Sequence, residues 1–149
     1  MISFNMNSAT HEQISNHLER CTFTPSLDDY IKNRDSYIDK ILEKAQRFEC
    51  WDGGVIIGQI ACYVNDTEGR RAYITLVTID DEYKGRGIAS QLMDHTIKYC
   101  RDSGFSTIAL DVYDTNLPAT KLYEIKGFKV KSVNDVGRIT MELAIQNHE

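Results

Sequence analysis

The stretch that decides the fold is Ala72–Gly104, which reads AYITLVTI, DDEYKGRG, IASQLMDHTIKYCRDSG. A β-rich apolar run passes through a charged, glycine-bearing loop straight into an amphipathic helix. Gly85 and Gly87 stand where strand must give way to helix, and glycine lets a ligand approach the main chain closely. The first turn of a helix leaves N–H groups unpaired, and its dipole adds partial positive charge there. With Lys84 and Arg86 bracketing the turn, these features describe an anion site suited to a phosphate or pyrophosphate. The reading without a ligand is a plain tight connection. GxxxxGK[ST] is absent, and the dinucleotide pattern fails at Ser90, where a third small Gly or Ala is wanted.

Downstream, ALDVYDTNLPATKLYEIKGF runs from Ala109 to Phe128. Lys84-Gly85-Arg86-Gly87-Ile88-Ala89 resembles the acyl-CoA loop of the GNAT-type N-acetyltransferases, Q/R-x-x-G-x-G/A, with Lys84 keeping a cation at the first position. Asn116, Ala119, Leu122, Tyr123, Gly127 and Phe128 resemble that family's second half-motif, N-x-x-A-x-x-L-Y-x-x-x-G-F. The two stretches lie in the right order, about thirty residues apart, and the close resemblance covers Ala72 to Val130.

Around this centre the chain reads as one domain of 149 residues, long enough to bury a core. Hydrophobic residues make up 42% and charged residues 26%, both ordinary globular values. A net charge of −5 argues against a nucleic-acid partner, which would show a basic face. Cys21, Cys50, Cys62 and Cys100 form no CxxC pair, and His11, His17, His95 and His148 show no metal-site spacing, so no metal is expected. The beginning MISFNMNSATHEQ has no signal-peptide form, and no apolar run reaches the length of about eighteen needed to span a membrane. A cytoplasmic protein is the expectation.

Ile2 to Met6 alternate as a short strand, and Thr10-His11-Glu12-Gln13 has capping-box form before Ile14, Leu18 and Cys21. Pro25 breaks that helix. Ser26-Leu27-Asp28-Asp29 offers a second box, and an apolar stripe from Ile31 predicts a long helix to about Arg47. Phe48–Trp51 and Val55–Val64 read as strands around a hairpin turn at Asp52-Gly53-Gly54. Asn65–Gly69 is a further turn into the deciding strand. Ser106–Tyr113, a helix capped by Asn116 with Pro118 early, and two strands from Phe128 and Arg138 complete the order β-α-α-β-β-β-α-β-α-β-β. Hairpins before the glycine loop argue against a doubly wound parallel sheet. The resemblance implies an α+β, α/β/α-layered fold whose mixed, mostly antiparallel sheet is splayed between strands 4 and 5.

The resemblance also implies the chemistry, acetyl transfer from acetyl-CoA to a primary amine, with a small-molecule acceptor first and a protein amine next. Backbone N–H groups from Arg86 to Ser90 would hold the pyrophosphate, assisted by Lys84 and Arg86. Main-chain groups of Val77 and Ile79 would pair with pantetheine, one N–H polarising the thioester carbonyl. Asn116 and Ala119 would lie against the arm, although a helix cap alone explains Asn116. Tyr123 would be the acid toward the leaving thiolate, a phenol of pKa about 10 in its ordinary state, against a simple core tyrosine.

Ala72–Ile79 holds no acid, so Asp111 is the candidate base, its pKa expected to rise by burial in an apolar strand; Asp114 lies already in the turn. Cys100 reads as core, and no Cys–His pairing suggests a thiol nucleophile. Phe23, Tyr30, Tyr37 and Trp51 fall where the family shapes its acceptor pocket, though packing alone accounts for them. Homodimers are common in the family. A CoA-binding regulatory module without turnover, and a nucleotide-binding domain, remain the other readings.

Overall fold

The structure is a computed structural model and describes residues 1–23 and 31–145. The elements follow the expected order: β1 (Ile2–Met6), α1 (His11–Glu19), α2 (Arg34–Lys44), β2 (Gln46–Asp52), β3 (Val55–Tyr63), β4 (Arg71–Ile79), a 3₁₀ turn (Asp81–Tyr83), α3 (Ile88–Asp102), β5 (Thr107–Tyr113), α4 (Leu117–Ile125), β6 (Lys129–Val133) and β7 (Arg138–Ala144). One seven-stranded sheet has the spatial order β1-β2-β3-β4-β5-β7-β6. The β4–β5 pair is parallel and every other pair is antiparallel.

Apolar side chains on both faces of the sheet set the layering. On one face α3 buries Ile88, Leu92, Met93, Ile97 and Cys100 against Phe48, Ile60, Ile74 and Ile108, with Tyr123 and Phe128 extending the same core. On the other, Ile14 and Leu18 of α1 and Ile38 and Ile41 of α2 pack on Trp51, Ile56, Ala61 and Leu76. No helix among the described residues is long and apolar enough to cross a membrane.

The caps fall where side-chain chemistry demands. Thr10 Oγ1 accepts from Gln13 N at 3.2 Å, and Gln13 Oε1 accepts from Thr10 N at 2.9 Å, closing the box on α1. The long-helix expectation is corrected at both ends. Asn33 caps α2, its side chain accepting from Ser36 N at 3.0 Å, so Ile31 precedes the helix. The box at Ser26–Asp29 lies outside the described residues, as do Tyr30 and His148. At the other end Ala45 closes α2 in extended geometry (φ −101°, ψ 149°), so Gln46 and Arg47 already belong to β2. The apolar stripe misled because buried Phe48 continues it, yet Phe48 is paired with Ile60 in the sheet.

Candidate active site between the fourth and fifth strands

The glycine loop is built from its backbone outward. Asp80 caps the 3₁₀ turn, its Oδ1 accepting from Glu82 N at 3.0 Å. Gly85 and Gly87 then take φ of +80° and +76°, and nothing lies within 4 Å of the Cβ positions they leave open. Gly87 caps α3 without any side-chain hydrogen bond, and the first intrahelical bond runs from Gln91 N to Gly87 O at 3.1 Å. The N–H groups of Ile88, Ala89 and Ser90 therefore precede the helical ladder. Lys84 lines the cavity described below and is bridged to Asp81 at 2.9 Å. Arg86 does not line it; its guanidinium folds back on Glu82 O at 3.1 Å and lies 4.7 Å over the Tyr83 ring.

The slot itself comes from register. β4 and β5 pair from Arg71↔Thr107 to Ile74↔Leu110 and then separate, although β4 runs on to Ile79 and β5 to Tyr113. Ala61 sits opposite Leu76 and Cys62 opposite Ile74, so Thr75 is an extra residue bulged from β4 where the strands part. Between them opens a cavity of about 690 Å³, running from Lys84, Gly85, Gly87 and Ile88–Ser90 to Asp111 and Tyr123. Val77 and Ile79 wall it on the β4 side, Asn116 and Ala119 on the α4 side. Asn116 also caps α4, its Oδ1 accepting from Ala119 N at 3.4 Å, so the cap and cavity positions coincide. Tyr123 is buried, its ring tilted against Phe128 at 5.9 Å.

Asp111 faces the slot half-buried, and its state corrects the expectation of a raised pKa. Burial pushes the carboxyl up, but Thr140 Oγ1 donates to Oδ1 at 2.6 Å, Tyr73 Oη donates to Oδ2 at 2.6 Å, and Arg138 Nη2 lies 3.3 Å from Oδ2. The donors outweigh burial and hold Asp111 below its ordinary value. Register supplies them: Thr140 sits directly opposite Asp111, Arg138 opposite Tyr113 two residues on, and Tyr73 beside Ala109 on the parallel strand. Tyr73 is pushed up to about 12, first by burial and then by the Asp111 carboxylate, so its phenol stays neutral.

Two further polar pairs lie on the α1–α2 face of β4. Buried His17 places Nε2 2.9 Å from Thr78 Oγ1. Cys21, four residues on along α1's exit, brings Sγ to 3.6 Å from that nitrogen. It is a quiet pair. Burial and then the Arg20 guanidinium push His17 down to about 4, while burial and the Asp80 and Asp81 carboxylates push the Cys21 thiol up to about 12. The i, i+4 spacing of His17 and Cys21 was the signal available in the sequence. Of the aromatic set, Phe23 lines the slot and Trp51 is core, while Tyr37 Oη donates to Thr75 O at 3.0 Å.

A second cavity of about 380 Å³ adjoins the slot. It is bounded by Ile31–Asn33, Ser36 and Tyr37 on one side and by Tyr73, Thr75 and Arg138, which both cavities share, on the other.

A mixed sheet parted between its fourth and fifth strands, with a glycine-opened helix start at the mouth of the gap, is the architecture of acyl-CoA N-acyltransferases. The chain belongs to the acetyltransferase (GNAT) family, whose sequence model matches residues 11–128. It is 34% identical over 82 residues to N-alpha-acetyltransferase MAK3 of Arabidopsis thaliana, covering 54% of this chain and 43% of that protein. It is 32% identical over 87 residues to mycothiol acetyltransferase of Propionibacterium freudenreichii, covering 58% and 28%. The chain thus spans less than half the length of these curated relatives.

In fold it is similar to the ribosomal-protein-S18-alanine N-acetyltransferase of Escherichia coli, with a TM-score of 0.81 at 19% identity over 100% of this chain and 97% of that one. It is also similar to a Bacillus subtilis acetyltransferase solved in complex with CoA, with a TM-score of 0.73 at 16% identity over 97% and 99%.

Proposed function

We propose that the protein transfers an acetyl group from acetyl-CoA to a primary amine of a small molecule, by direct transfer with both substrates bound. The observation that carries this reading is the continuous slot from the open α3 N-terminus to Tyr123 and the Tyr73–Asp111 pair. Acetyl-CoA supplies an acetyl group activated as a thioester. The N–H groups of Ile88, Ala89 and Ser90 hold its pyrophosphate with Lys84 beside them, and Gly85 and Gly87 keep side chains clear of that approach. The main chain of Val77 and Ile79 offers the pantetheine arm a strand edge, since among the described residues no strand pairs with β4 there on the β5 side, and one N–H polarises the carbonyl. Asn116 and Ala119 flank the arm from the opposite wall.

As the C–N bond forms and the C–S bond breaks, Tyr123 gives its phenolic proton to the departing sulfur, the nitrogen sheds a proton to water as it becomes an amide, and water reprotonates Tyr123. Asp111, charged at working pH, draws the incoming ammonium group, and Tyr73 Oη accepts from the amine once the extra proton has left to water. This assigns Asp111 the role of a fixed charge rather than a titrating base. The four cysteines are free thiols, in keeping with a reducing compartment such as the cytoplasm.

A protein amino terminus is the second reading, favoured by the likeness to an N-alpha-acetyltransferase. The test is calorimetry with acetyl-CoA, then a panel of small amines and peptides with thiol release monitored. Release with a small amine supports the proposal, release with peptides alone selects the second reading, and no acetyl-CoA binding overturns both.

A further inference from the structure

The second cavity has a charge character opposite to that of the chain. The protein carries a net −5, yet this cavity is lined by Lys32 and Arg138 with no carboxylate among its described lining residues. Resting on the acetyl-transfer reading above, we propose that the acceptor is a free α-amino acid. Its carboxylate sits in the second cavity on Arg138 and Lys32, and its amino group sits at the junction with the slot, beside Tyr73 and Asp111.

Arg138 is the hinge of this argument. It contacts Asp111 through Nη2 at 3.3 Å, reaches Tyr73, and lies 5.8 Å over the Tyr113 ring. A guanidinium has five N–H donors in a rigid plane, so one edge can stay on Asp111 while another takes a carboxylate in paired hydrogen bonds. The Asp111–Arg138 pair therefore presents a negative and a positive group side by side at the junction. An α-amino acid carries the complementary charges on one carbon, ammonium toward Asp111 and carboxylate toward Arg138.

Other amines fit less well. A polyamine would bring a second cation against Lys32 and Arg138, and an amino sugar would bring only neutral hydroxyls. A peptide amino terminus has an uncharged carbonyl where those cations wait, and so forgoes the charge-assisted bonds that a carboxylate would make there. Ser36 and Asn33, also on the lining, supply neutral polar groups for whatever side chain the acid bears.

The experiment compares the twenty common amino acids with their carboxamides, together with spermidine and an unblocked pentapeptide, in the thiol-release assay. The expected result is one amino acid or group of acids whose kcat/KM exceeds that of the matching amide by about 100-fold, as for loss of a charge-assisted pair. Arg138→Gln should raise KM for the acid at least tenfold more than KM for the amide; Lys32→Gln, at an exposed position, should raise the acid's KM a few-fold without touching the fold. Amides, spermidine or the peptide turned over as well as any acid would overturn the proposal while leaving acetyl transfer intact. If acetyl-CoA binds and nothing turns over, calorimetric titration of the same acids into the CoA complex decides, and absence of binding overturns it. Failure to bind acetyl-CoA removes the underlying reading instead.

Discussion

Tyr73 Oη donates to Asp111 Oδ2 at 2.6 Å, one residue to either side of the last point at which β4 and β5 are hydrogen-bonded as strands, Ile74↔Leu110. The pair is a side-chain clasp at the place where the main-chain ladder ends. It ties the geometry of the slot to the electrostatics of its junction with the second cavity.

That clasp sets the behaviour of Asp111 with pH. Its carboxyl lies below its ordinary value in the folded protein, so it stays ionised throughout the neutral range. Asp111→Asn should lower kcat/KM by about tenfold, as for loss of a hydrogen-bonded charge, and by the same factor at pH 6 and pH 9. A loss confined to low pH would restore Asp111 to the role of titrating base.

Tyr123→Phe removes only the phenolic oxygen from a buried ring packed on Phe128. Turnover should fall by about 100-fold, at the lower end of general-acid contributions, with CoA affinity by calorimetry within twofold of the original. A wild-type rate would dismiss it as the acid.

Gly58 lets α3 lie close on β3. A Cβ there would meet Ile79 Cδ1 at 3.0 Å, Ile88 Cγ2 at 3.1 Å and Leu92 Cδ1 at 3.2 Å. Gly58→Ala should cost about 1–3 kcal/mol in urea unfolding by overpacking. Because Ile88 begins α3, the same change should weaken acetyl-CoA binding; loss of stability with unchanged affinity would separate this contact from the anion site.

His17 makes the fold acid-sensitive. Unfolded, its imidazole takes a proton at about pH 6.5; folded and buried, not until about 4. The resulting destabilisation is absent above pH 6.5 and grows to about 3 kcal/mol as pH falls toward 4, the direction expected when the unfolded chain binds more protons. His17→Gln should flatten the urea midpoint between pH 6.5 and 5, and an unchanged slope would show that other groups carry it.

The succession of strand, glycine turn and helix was legible in Ala72–Gly104 because each has a distinct local signature. The boundary of α2 was not, since Ala45 alone separates the helix from the strand, with no turn residue to mark the change. The junction was less legible still. Asp111 stood out as an acid in an apolar strand, but Thr140, Arg138 and Tyr73 reach it only through the β5–β7 and β4–β5 registers, which no local pattern reveals. Without those donors, burial alone pointed its pKa the wrong way. Nor does sequence adjacency give the placement of the Arg86 side chain, which stacks on Tyr83.

Four residue pairs, Arg71–Ile74 with Thr107–Leu110, are the strand pairing that joins β1–β4 to β5–β7 among the described residues. The sheet is thus two leaves sewn along a short seam, and a ligand lying between them becomes a second line of stitching. Occupancy of the slot should then stiffen the molecule as a whole. Amides along the seam would exchange with solvent more slowly once it is filled, although none of them need touch what fills it.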